Sequence, residues 1–148
     1  MTPSDKLVDF VAGWEGFEPK AYRDGGGVWT LGFGRTLGVG PGDTCTLEQA
    51  KEWLLADLDR HWEALNEYIT REPSQQQGDA LLSLAFNVGV RALGESGTMR
   101  RFNAGKDDEC ADRFLFWDMD NGVHVPGLLR RRKAEREIYL RGRYDLRP

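Results

Sequence analysis

Trp14-Glu15-Gly16-Phe17 leads through Asp24-Gly25-Gly26-Gly27 to Thr30-Leu31-Gly32-Phe33-Gly34, and this stretch decides the reading of the chain. It starts at the end of an apolar helical pattern and runs into a glycine-rich hairpin. Gly16 and Pro19 stop the helix just past Glu15, which therefore falls on its last turn beside Trp14 and Phe17. Burial there would favour the protonated carboxyl. Asp24 opens a polar turn. Two acids on either side of such a bend can face each other across a cleft, one on apolar ground and one in water. Glycosidic bond cleavage asks for that pairing. Taken singly, each residue also has a plain reading. Glu15 can be an exposed helix-end carboxylate, Asp24 an Asx-turn residue and Thr30 a good strand former.

Working outward, Leu7, Phe10, Val11 and Trp14 repeat at helical spacing, and Thr2-Pro3 supplies a cap and a first-turn proline. Lys20 to Leu37 reads as strands. Eight of the eighteen glycines fall between Gly25 and Gly42, which marks a tightly bent sheet whose backbone can approach a ligand. Thr46 with Gln49 forms a capping box for a helix of roughly 24 residues, or ~36 Å, whose apolar stripe runs from Leu47 to Ile69 before Glu72-Pro73 ends it. Ser74 with Gln77 caps the next helix, apolar on more than one side and hence central. Gly89 to Gly97 reads as a loop. Short helices are expected at Thr98–Asn103 and Asp107–Trp117. Asn121-Gly122 marks a turn, and a last helix runs from about Pro126 to Leu140.

The chain of 148 residues fits one domain, 40% hydrophobic and 30% charged. No apolar run reaches the ~20 residues of a membrane span, and Met1 to Phe10 lacks the apolar core of a signal peptide. The expectation is a cytoplasmic monomer with no stable membrane insertion. Net charge is −4, yet residues 130–143 hold seven Arg or Lys against two Glu. A solvated helix face is favoured over a patch for an anionic polymer, and no nucleic-acid fold signature accompanies it. Cys45 and Cys110 are far apart without a CxxC pattern, so no metal is expected; free thiols suit a reducing compartment, and one disulfide could form after release into an oxidising space. His61 and His124 lack metal-ligand partners, and no Ser-His-Asp set stands out.

Glu15, Asp24 and Thr30, with Thr30-Leu31-Gly32-Phe33-Gly34, resemble the catalytic stretch of phage-type lysozymes, glycoside hydrolase family 24. The resemblance extends to Leu84-Ala85-Phe86-Asn87-Val88-Gly89 and to Pro126-Gly127-Leu128-Leu129-Arg130-Arg131-Arg132-Lys133-Ala134-Glu135. It implies an α+β, lysozyme-like fold. A small β lobe at about residues 18–45 would join, through the long helix, a helical lobe at about 70–148 plus the N-terminal helix. It implies hydrolysis of the β-1,4 bond between N-acetylmuramic acid and N-acetylglucosamine in peptidoglycan, with no cofactor and with inversion. Glu15 would be the general acid, Asp24 the base that activates a water or stabilises the oxocarbenium-like centre, and Thr30 the hydroxyl that holds the water. Gly32, Phe33 and Gly34 would border the substrate; Phe116 and Trp117 are further aromatics for a sugar face, though packing competes for all of them. Arg130 or Arg131 would pair with Glu15 or brace the cleft. Arg35 stands where many relatives carry His, so a His–carboxylate pair there is absent. Such an enzyme without signal or anchor would reach the wall through a separate membrane pore, a holin. Two other readings compete: a lytic transglycosylase, which needs one acid and releases an anhydro sugar, and a non-catalytic glycan-binding module.

Overall fold

The computed structural model describes residues 1–148. Helix α1 spans Asp5–Glu15, followed by an antiparallel pair, β1 (Glu18–Arg23) and β2 (Trp29–Gly32). Helix α2 (Leu47–Asn66) leads out of this small β region. Then come α3 (Gln75–Val88), α4 (Val90–Gly94), α5 (Gly97–Asn103) and α6 (Asp107–Phe114). A second hairpin, β3 (Met119–Asp120) with β4 (Val123–His124), precedes α7 (Pro126–Arg141). The strands make up little of the chain; the rest is helix and loop.

One cluster of 25 buried apolar residues runs through the molecule, from Leu7 and Phe10 of α1 through Leu54 and Leu58 of α2 to Ile138 of α7. It includes Phe33 and Ala50 beside the β region, so the two parts share a core. Helix α3 lies at the centre. An unbroken run from Gly78 to Ala85 is buried, as expected of a helix apolar on more than one side.

Both capping boxes form. Thr46 accepts from the Gln49 N–H at 3.1 Å and Gln49 returns a bond to the Thr46 N–H; Ser74 and Gln77 do the same. Other boundaries depart from the sequence reading for tertiary reasons. Helix α1 is capped by Ser4, not Thr2. The Ser4 hydroxyl accepts from the Leu7 N–H at 3.1 Å while donating to buried Asp79 at 2.6 Å. Helix α2 stops at Asn66, short of Ile69. Its last turn tightens, with Tyr68 and Ile69 N–H reaching carbonyls three residues back. Asn103, from α5, accepts from the Thr70 N–H and donates to the Tyr68 carbonyl, both at 2.9 Å. The glycine-rich segment after α3 contains helix α4 rather than only loop, because Leu93 is drawn fully into the core. Gly94 is there for packing: a Cβ would sit 2.5 Å from the Tyr68 ring. Helix α6 ends at Phe114, not Trp117, in three successive i→i+3 turns. Asn121 (φ 50°) and Gly122 (φ 77°) make the tight turn between β3 and β4.

Candidate active site

Glu15 closes α1, where Gly16 takes φ 78° and turns the chain toward β1. The side chain is 26% exposed, so it is less dry than its neighbours Trp14 and Phe17 suggested. Trp14 turns inward instead, its ring 6.2 Å from that of Phe10. The partner of Glu15 is Arg131, on α7. Arg131 Nη1 donates to Glu15 Oε1 at 3.1 Å, and the guanidinium is buried. Oε2 is left without a protein partner. A charge-assisted bond from a rigid, buried donor fixes one oxygen and presents the other.

Asp24 follows β1 directly and is exposed. Its Oδ1 accepts from the N–H groups of Gly26 and Val28, both at 2.9 Å. These are Asx-turn bonds, and Gly27 at φ 77° completes the bend. Oδ2 stays open. Thr30 is buried on β2, opposite Tyr22, with Arg23 and Trp29 as the next pair toward Asp24. The Thr30 hydroxyl donates to the Val28 carbonyl at 3.0 Å, leaving its lone pairs as acceptors. Asp24 and Thr30 therefore share one end of one hairpin. Each carboxylate has one oxygen tied to protein and one free.

The residues beyond Thr30 do other work. Phe33 is buried in the core with its ring 5.6 Å from Phe17, so it is not the sugar-facing aromatic named from the sequence. Gly32 takes φ 69°, and a Cβ there would meet the Ala50 Cβ at 3.1 Å; it lets β2 approach α2 closely. Gly34 (φ 91°) faces open space. Arg35 stacks on Trp53, its guanidinium carbon 4.6 Å from the ring centroid. His61 is half-buried against Phe86 at 4.9 Å, with Nδ1 2.7 Å from the Asp57 carbonyl. Burial and the Arg60 cation hold its imidazole below the ordinary value.

Of the terminal arginines, Arg130 is at the surface and Arg131 reaches Glu15. Arg132, which periodicity did not single out, is fully buried and lies 2.6 Å (Nε to Oε1) from Glu135. Burial pushes its guanidinium below the usual range, and Glu135 opposes that. Ser83 donates to Glu135 at 2.5 Å. A serine inside the apolar run of α3 and a glutamate one turn beyond two arginines were the available signals. On the same helix, Arg132 and Leu128 form one wall of a cavity of about 700 Å³. Asn87, Thr98, Phe116, Trp117 and Met119 are among its other lining residues. Phe116 is 63% exposed there, while Trp117 is half-buried and donates its Nε1–H to Thr98 at 3.1 Å. No group of three or more His, Cys, Asp or Glu is placed to hold a metal.

Comparison with known proteins assigns this architecture. The family model described as phage lysozyme matches residues 12–135. The chain belongs to the phage lysozyme family. An endolysin of Acyrthosiphon pisum secondary endosymbiont phage 1 is 35% identical over 143 residues, 94% of this chain and 98% of its own length. The solved endolysin of Escherichia coli O157:H7 phage FAHEc1 superposes with a TM-score of 0.89 at 37% identity, covering 97% of this chain and 96% of that one. The muramidase domain of SpmX from Asticaccaulis excentricus gives 0.87 at 33% identity, over 94% and 97% of the two chains. This phage lysozyme is thus a glycoside hydrolase with the lysozyme-like fold of its relatives. No helix is long and apolar enough to cross a membrane.

Proposed function

We propose that this lysozyme hydrolyses the β-1,4 bond between N-acetylmuramic acid and N-acetylglucosamine in peptidoglycan, as an endolysin that lyses a bacterial host. Glu15 is the general acid: its free Oε2 gives a proton to the leaving glycosidic oxygen. Asp24 is the base: Gly26 and Val28 N–H groups hold its Oδ1, and Oδ2 takes a proton from the attacking water. Thr30 holds that water by accepting its hydrogen bond. Attack on the face opposite the leaving group inverts the anomeric centre, which requires the two carboxyls about 6.5–9.5 Å apart. The observation that supports the reading is that buried Arg131 pins Glu15 through one oxygen alone, while the Asp24 turn holds one oxygen of that carboxylate and leaves the other open.

The enzyme works as a monomer and leaves the cytoplasm through a separate membrane pore. The test is product analysis from purified peptidoglycan. The wild type should release reducing muramic ends, not anhydro sugars, with inverted configuration. Glu15→Gln and Asp24→Asn should each lower the rate by at least ~100-fold. Full activity of Glu15→Gln would overturn the assignment. Anhydro products with an active Asp24→Asn would mean a transglycosylase. Wall binding without any solubilisation would mean a binding module.

A further inference from the structure

Beneath Arg131 lies a second carboxylate that hydrolysis itself does not use. Glu135 is 0% exposed, one turn beyond Arg131 on α7. Its Oε2 accepts from Ser83 Oγ at 2.5 Å, Arg132 Nη2 at 3.2 Å and Arg131 Nε at 3.4 Å. Its Oε1 lies 2.6 Å from Arg132 Nε. Arg132, also 0% exposed, gives its Nη1–H to the Trp117 carbonyl at 3.3 Å. A fold in need of packing alone gains more from an apolar side chain at such a place than from a buried ion cluster.

Arg131 spans the two acids, with Nε on Glu135 and Nη1 on Glu15. Its Nη2 is buried without a partner. The charged groups in contact with one another here are Arg131, Arg132 and Glu135 of α7 and Glu15 of α1. Helix α3 adds the neutral hydroxyl of Ser83, and the loop after α6 adds the Trp117 carbonyl. With Glu15 ionised the four charges cancel. With Glu15 protonated, as a general acid must be before it acts, one positive charge remains. Without Glu135 two would remain, both buried.

We propose that Glu135 is a positioning residue that lets Glu15 keep its proton, by giving Arg131 a second counter-ion and sharing it with Arg132. The proposal rests on the reading of Glu15 as general acid. Arg131 alone would aim Glu15 and also hold it ionised, which defeats an acid. Arg131 divided between two carboxylates aims Glu15 while leaving it free to protonate. Ser83 sets the division, because its O–H occupies the Glu135 oxygen that also faces Arg131.

The test is the dependence of rate on pH for wild type, Glu135→Gln, Glu135→Asp and Ser83→Ala on purified peptidoglycan. Circular dichroism at each pH selects the conditions under which each variant is folded. A general acid loses activity as pH rises through its titration, so the alkaline limb reports on Glu15. In Glu135→Gln, Arg131 is left to Glu15, and the limb should move to lower pH by about one unit. Glu135→Asp keeps the charge and should restore most of that shift. Ser83→Ala frees Glu135 to draw Arg131 away, so its limb should move the opposite way, to higher pH. A purely structural cluster would lower stability or rate without moving the limb in either direction. Unmoved limbs in Glu135→Gln and Ser83→Ala, with Glu15→Gln inactive, overturn this inference and leave the general acid standing. If Glu135→Gln does not fold, Ser83→Ala alone decides. If Glu15→Gln is active, the failure lies with the catalytic assignment.

Discussion

At Glu15 and Asp24 a short-range signal and a long-range one have to meet. The Asp24 turn is local: Gly26, Val28 and the aspartate lie within five residues, and the glycines permit the bend. The environment of Glu15 is not local. Its partner is 116 positions away, and its flanking aromatics pack on other rings, Trp14 on Phe10 and Phe17 on Phe33. Phe33 reverses in the same way, from candidate sugar platform to core residue. The two thiols differ for a reason also set by depth. Burial pushes the Cys110 thiol up to about 11, and the half-buried Cys45 is raised by the same cause. A thiol-specific colorimetric reagent at pH 8 should therefore label Cys45 in the native protein and Cys110 only after denaturant is added. Rapid reaction of both in the folded state would contradict the burial.

At the scale of elements, helix starts were legible where the cap is a sequence-local motif, and illegible where the cap answers to a distant residue. Thr46–Gln49 and Ser74–Gln77 are complete within four residues. Ser4 is chosen over Thr2 because Asp79 of α3, with no exposed surface, needs its hydroxyl. Gln75 then takes up the Thr2 carbonyl at 2.8 Å. Removing that hydroxyl leaves both an uncapped helix and a buried carboxylate short of a donor. Ser4→Ala should lower unfolding free energy by ~2 kcal/mol, whereas Thr2→Ala should be nearly neutral. Urea midpoints with unchanged slopes would measure both. Equal effects at the two positions would refute the Ser4 cap.

At the scale of the whole molecule, distant elements are tied by polar side chains over a common core. Asp107 at the start of α6 accepts from Arg71 at 2.6 Å and from the Tyr139 hydroxyl of α7 at 2.6 Å. The Arg71 bond holds its carboxyl below the usual carboxylate range. A carboxyl lowered by folding stabilises the native state above its unfolded value and ceases to do so as pH falls through the folded one. This contribution should be present at neutral pH and fade below about pH 4. It is modest, since Asp107 and Arg71 are part-exposed. Melting temperature should accordingly fall in acid, and Asp107→Asn should flatten that fall while lowering the melting temperature at pH 7. A variant as steep in acid as the wild type would show that other carboxylates set the acid limit.

By itself the sequence determined every helix but α4, the hairpin with its Asp24 turn, two capping boxes and, through short motifs, the phage lysozyme family. Those rest on periodicity and on hydrogen bonds closed within a few residues, which a linear string records. Tertiary structure alone decided which arginine holds Glu15, that Arg132 and Glu135 lie buried beneath it, where α1 starts and α2 ends, and that Phe33 packs inward. Each depends on a partner tens of residues away, and a run of three arginines states no register until a helix face is packed against α3.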